Sequence, residues 1–262
     1  MKRTLNSALI GGGLVLLVLA AGYFFQAPWA LSTWFWPDGR LSYIFVASIQ
    51  VAIAAAMIWI GLSYEYGSLA AGALNLLVMM AGIAAFLFPL ASQQNQPYLL
   101  VYAVGCGLFA VFNLWLFLWS RRLPVAETQP TPGLVSISYA IFAAVLILVG
   151  GALVLKTPNV FPWPLKPETS VVFGWIFIGD AFYFLHAFLR RTWQSARAQL
   201  WSFLAYDLVL IGPFLAHLAV VKPELLTSLL VYMAVLVYSG GLAIYYLFIN
   251  RSTRAWSTNV DG

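Results

Sequence analysis

An all-α integral membrane protein with eight transmembrane helices is the fold class this sequence predicts, and three observations carry the prediction. Apolar stretches of about 20 residues, the length that crosses a bilayer as a helix, recur along the whole chain. The composition is 63% hydrophobic and only 8% charged, far below the roughly one-quarter charged content of soluble domains. The basic residues fall at alternate ends of the stretches, as a chain threading back and forth requires.

The spans follow in order. The first, 5–25, comes after Met1-Lys2-Arg3 and contains Gly11-Gly12-Gly13. It is long for the apolar core of a signal peptide and has a counterpart later in the chain, so it reads as a retained helix. The second, 41–61, follows Arg40. Next is the turn Tyr64-Glu65-Tyr66, where Glu65 reads as solvated, and then the third span, 68–90. The fourth, 99–120, ends on Arg121-Arg122. Within it the single cysteine, Cys106, sits between Gly105 and Gly107 and reads as a small buried hydrophobe that allows no intrachain disulfide or thiolate metal cluster. The fifth is 136–155. The sixth, 170–189, is separated from the seventh, 200–221, by Arg190, Arg191 and Arg197. The eighth, 229–249, precedes Arg251 and Arg254. Gln50 and Asn113 read as interhelical hydrogen bonds, and the glycine runs, Gly240-Gly241 among them, as places of close helix approach.

Lys2, Arg3, Arg121, Arg122, Arg190, Arg191, Arg197, Arg251 and Arg254 all fall on one side of the membrane. Only Arg40, Lys156, Lys166 and Lys222 fall on the other. The positive-inside rule then places both termini in the cytoplasm. This distribution also accounts for the formal charge of +5 without an acidic partner. No basic, aromatic-lined groove for nucleic acid is present.

The two halves resemble each other. Leu99-Leu100-Val101-Tyr102 recurs as Leu229-Leu230-Val231-Tyr232, and Arg121 falls on Arg251 in the same register. Ser48 aligns with Asp180, and Asn75 with Asp207. The sequence therefore predicts two parallel four-helix repeats, 1–123 and 136–262, the second ending in a short cytoplasmic tail. They are joined by a cytoplasmic linker, 124–135, that contains Pro124, Glu127, Pro130, Pro132 and Gly133.

The predicted external loops are rich in tryptophan and proline: Pro28-Trp29 and Trp34-Phe35-Trp36-Pro37 in one, Pro158 to Thr169 in the other. Trp36 and Trp163 read as interfacial anchors or as an aromatic lid over a site between the repeats. The string Trp163-Pro164-Leu165-Lys166-Pro167-Glu168-Thr169 resembles a W-P-x-x-P-x-T loop of uncharacterised bacterial multi-pass membrane proteins. Lys166 and Glu168 stand where less charged residues are expected. The resemblance implies a bacterial inner-membrane protein and supplies no functional residues.

Polar residues within apolar spans are the functional candidates. Counted from the external ends, Asp180 lies ~15 Å deep, Asp207 ~20 Å and His186 ~24 Å, whereas His217 lies only ~6 Å deep. The first three share a layer, with Tyr183 beside Asp180 and with Ser48 and Asn75 as repeat counterparts. Asp207 reads as a partner of His186. The two histidines differ too much in depth to grip one haem iron or metal. No P-loop, H-E-x-x-H or serine triad order occurs, and no cofactor is indicated. The expected function is small-molecule or ion transport or binding through this polar layer. The alternative is an accessory subunit of a larger membrane complex, with a protein partner or a second copy in the bilayer. An intramembrane lipid enzyme would rest on His186 and Asp207 alone.

Overall fold

A computed structural model of the chain describes residues 2–36, 38–125 and 127–255. Met1, Pro37 and the tail after Ala255 lie outside the described residues. The helices are α1 (Lys2–Phe24), a short α2 (Pro28–Leu31), α3 (Arg40–Ser63), α4 (Leu69–Gln94), α5 (Pro97–Ser120), α6 (Gly133–Val154), α7 (Pro167–Arg190), α8 (Trp193–His217) and α9 (Pro223–Ile244). A 3-10 turn, Tyr66–Ser68, leads into α4, and a π-helical turn, Tyr245–Ile249, extends α9. Among the described residues, eight helices are long and apolar enough to span a membrane. The protein is therefore a multi-pass integral membrane protein.

Several helices begin before the apolar run does. Pro97, Pro167 and Pro223 each occupy the first turn of a helix, where the missing N–H is no loss and the fixed φ is already helical. Pro167-Glu168-Thr169, expected as loop, is thus the first turn of α7. α8 differs most: it starts at Trp193, seven residues ahead of the expected span, and stops at His217. Arg197 is consequently inside a helix, its guanidinium 5.4 Å from the centre of the Trp59 ring. Polar side chains at Gln194, Ser195 and Gln199 hide this start from hydropathy, yet all three are buried.

The chain forms two compact units: Met1–Tyr64, Phe161–Leu165 and Ala196–Gly262 in the first, Glu65–Val160 and Lys166–Ser195 in the second. These cut across the halves 1–123 and 136–262. The first unit holds α1, α2, α3 and α9 with most of α8; the second holds α4 to α7.

In the second unit α4 packs on α5, α6 on α7 and α4 on α7. The α6–α7 crossing depends on two glycines. A Cβ on Gly174 would lie 2.7 Å from the Gly150 carbonyl oxygen, and one on Gly150 would lie 2.8 Å from that of Gly174. Backbone meets backbone there, the close approach that small residues permit between membrane helices. Described residues of the linker are hydrogen-bonded to the segment around Trp193. Thr131 N–H donates to Arg191 O, Trp193 N–H to Gln129 O, and Glu127 N–H to the Gln194 side chain. Glu65, expected to be solvated, is 5% exposed, because the turn that carries it is covered: Ser68 donates to Gln194 O, and Gly67 lies against the Gln194 side chain and Pro124 O. Cys106 is half-buried rather than buried.

In the first unit α1 packs on α3. α8 lies on α3 through a Ser202–Ala52 O hydrogen bond of 3.0 Å and a stacked Trp59–Trp201 pair at 5.3 Å. The segment Phe161–Leu165 is built into this unit. Phe161 and Trp163 are 2% and 4% exposed, with rings 4.6 Å apart and perpendicular. Trp163 also meets Phe45 and Phe214, donates its Nε1–H to Ser42 at 2.9 Å, and is flanked by Pro162, whose carbonyl accepts from His217 Nε2 at 3.1 Å. Trp163 is thus part of the buried core of the unit. Ser42→Ala is expected to leave a buried indole N–H unsatisfied and lower stability by about 1 kcal/mol, read as a lower thermal unfolding midpoint in detergent.

Candidate functional site

Two polar clusters, one buried and one partly buried, hold the candidate residues. In the second unit, α4 carries Asn75 and α7 carries Asp180. Asn75 Nδ2 donates to Asp180 Oδ1 at 2.7 Å. Gly179 makes this possible: a Cβ there would stand 2.6 Å from Asn75 Oδ1 and 2.9 Å from the Asn75 carbonyl. Glycine lets α4 lie close enough for the amide to reach the carboxyl. Asn75 is 6% exposed, and its Oδ1 has no hydrogen-bond partner. The sequence matched Asn75 with Asp207 and Ser48 with Asp180 as repeat counterparts; the fold places Asn75 in contact with Asp180.

Asn75→Leu is expected to destabilise the protein by about 2 kcal/mol, because it leaves a desolvated carboxyl without its donor. Removing both groups, Asn75→Leu with Asp180→Leu, should restore most of that loss if the pair serves packing alone. Unfolding midpoints of the two single variants and the double variant measure the coupling.

In the first unit, Asp207 of α8 is 5% exposed. Its Oδ2 accepts from the Ser239 hydroxyl of α9 at 2.9 Å. Gly240 faces the same oxygen, which would lie 3.3 Å from a Cβ at that position. Asp207 Oδ1 is buried and has no hydrogen-bond partner. Ser239 Oγ is also 2.8 Å from the Val235 carbonyl, one turn back along its own helix. A hydroxyl has one hydrogen, so it serves the carboxyl or the carbonyl at a given moment. Next to Asp207, the Tyr206 and Tyr232 hydroxyls hydrogen-bond to each other.

The remaining candidates lie as follows. Asp207 belongs to the first unit, where it accepts from Ser239, and His186 to the second. His186 is 9% exposed, its ring edge-on to Phe117 of α5 at 6.1 Å, with Nδ1 buried and unpartnered. Tyr183 is 7% exposed on α7, one turn beyond Asp180, and packs against Phe184. Ser48 turns its hydroxyl back to Phe45 O at 2.7 Å within α3. Trp36 is half-buried, its ring edge-on to Trp34. Asn113, expected to bond between helices, donates to Phe109 O of its own helix, and Gln50 Oε1 has no partner. Among the described residues no three of His, Cys, Asp and Glu come together as a metal site would need.

Ser239 and Gly240 are the site residues that sequence reasoning missed as such. Gly240-Gly241 read as packing alone; the signal that was passed over is Ser239, a serine directly ahead of the two glycines inside an apolar span. Comparison with protein-family models, curated proteins and solved structures finds no match for this chain.

Proposed function

We propose that this protein binds or transports an ion or small molecule within the bilayer, using Asp207 with Ser239 and Asp180 with Asn75 as its polar groups. One observation carries the reading: Asp207 Oδ1 is buried in a membrane helix with no donor. A carboxyl kept only for packing would be expected to have both oxygens satisfied, since an unmet buried acceptor costs about 1–3 kcal/mol. An ionisable group inside a membrane span is costly, which makes it a functional candidate by default.

In this reading the chain sits in a bacterial inner membrane, with both termini in the cytoplasm on the strength of its basic ends. The two four-helix repeats belong to the same reading. α1 and α6 close alike: Gln26 and Lys156 both take positive φ, Ala27 N–H donates to Gly22 O, and Thr157 N–H to Ala152 O. A repeat would also turn spans one, two, seven and eight into five, six, three and four, which is how the compact units divide.

The test is reconstitution into phospholipid vesicles and measurement of the flux of protons, Na⁺, K⁺, acetate and glycerol. Flux of at least one solute should depend on Asp207. Unchanged flux in both Asp207→Asn and Asp180→Asn proteins would sink the proposal. A second reading, an accessory subunit, is favoured by a different observation. α5 exposes a ladder of aromatic rings, Phe109, Phe112 and Trp115 with Trp119 stacked beyond. A stoichiometric partner retained in mild detergent would favour that reading.

A further inference from the structure

We infer that the ligand of Asp207 is a proton, and that the Ser239 hydroxyl changes its acceptor when the proton arrives. The inference rests on the reading of Asp207 as a functional group and names what the group takes.

A hard metal cation needs about six to eight oxygens. Asp207 supplies two, and Ser239 adds a third by hydrogen-bonding Oδ2. A proton needs a single oxygen and no cavity. Among the described residues of the first unit, the helices around Asp207 carry no basic residue near mid-span either. α8 carries none between Arg197 and His217, α9 none from Pro223 to Ile244, and α3 none after Arg40. The titratable groups of these packed helices near mid-span are tyrosines. Tyr206 and Tyr232 are bonded to each other, and Tyr238 is exposed. In α3 the only titratable groups are Arg40 and Tyr43, at its start, and Tyr43 accepts from Asp38 N–H. α1 carries Lys2 and Arg3 at one end and Tyr23 at the other, and Tyr23 hydrogen-bonds Thr33. The segment Phe161–Leu165 carries no titratable group, and His217, at the end of α8, is engaged with Pro162 O.

The geometry provides for both states. With the carboxyl ionised, Ser239 donates to Oδ2 at 2.9 Å. When a hydronium ion gives up its proton, an O–H bond forms at Oδ2 and one breaks in the water. The new Asp207 O–H then donates to Ser239 Oγ, and the serine hydrogen rotates to the Val235 carbonyl at 2.8 Å. No electrons change hands, and release reverses each step.

Infrared difference spectra of the full chain in lipid nanodiscs, recorded across a pH titration, test this. The wild type should show a carboxylic C=O band that appears as pH falls. Asp207→Asn should abolish that band, Asp180→Asn should retain it, and Ser239→Ala should shift its frequency, since the acid loses its hydrogen-bond partner. Ser239→Ala also serves if Asp207→Asn fails to fold. Spectra of wild type and Asp207→Asn that superimpose at every pH would overturn the inference, as would loss of the band on adding Na⁺ at constant pH. If the band titrates but vesicle flux ignores Asp207, the proton site stands and the transport reading fails. If flux needs Asp207 but no band titrates, the reverse holds.

Discussion

Replacing Gly174 with leucine is expected to force α6 and α7 apart and lower the stability of the protein by on the order of 3 kcal/mol, at the upper end of typical overpacking costs. The Cβ alone would come within 2.7 Å of the Gly150 carbonyl and 2.8 Å of the Val154 nitrogen. Both are backbone atoms in helices, so neither can rotate out of the way, and the helices must separate along the crossing. Within a bilayer that separation is serious, because lipid is as apolar as the side chains and close packing supplies much of the association. Gly151, the neighbour of Gly150, is the control: a Cβ there meets nothing within 4 Å. Gly151→Ala should be neutral or stabilise by up to about 1 kcal/mol through better helix propensity. Unfolding in mixed detergent micelles measures both, and equal midpoints for wild type and Gly174→Leu would show that the glycine crossing is not under the constraint described.

Asp207→Asn is expected to bring vesicle flux to background while the protein stays folded. Asparagine matches aspartate in shape and can still accept from Ser239 at the same position, so packing around Gly240 should survive. What it cannot do is gain or lose a charge. Asp207→Glu keeps the charge but adds a methylene group that displaces the carboxyl from the Ser239 hydroxyl; partial flux is expected. Asp180→Asn should be milder. Its carboxyl already has a neutral amide donor in Asn75, which an amide oxygen can equally accept. Flux in Asp207→Asn equal to wild type, with the protein correctly inserted, would remove Asp207 from the route.

Much of this architecture was legible in the chain because hydropathy acts over whole helices. A run of about 20 apolar residues has few alternatives in a bilayer, where every backbone group must be satisfied internally. Helix starts were less legible. Trp193 to Gln199 is polar in composition, and only packing by other segments makes it a buried helical stretch. Trp163 shows the same limit from the other side: its proline-rich neighbourhood reads as an interfacial loop, and tertiary contacts with Ser42, Phe45 and Phe214 place it in a core.

The candidate site divides the same way. Asp180 and Asp207 stand out in the sequence because charge inside an apolar span is rare and costly. Their partners do not stand out. Asn75 reaches Asp180 because Gly179 admits α4, and Ser239 reaches Asp207 because Gly240 leaves room for the carboxyl. By itself, then, the sequence determined that the protein is a multi-pass helical membrane protein and that Asp180 and Asp207 lie inside its apolar helices. Both follow from the free energy of moving residues between water and lipid, a property of composition along the chain. Which hairpins form a unit and which polar groups meet were decided only by the tertiary structure. Those depend on how closely particular helix faces approach, and a glycine's missing side chain acquires that meaning only when another helix lies against it.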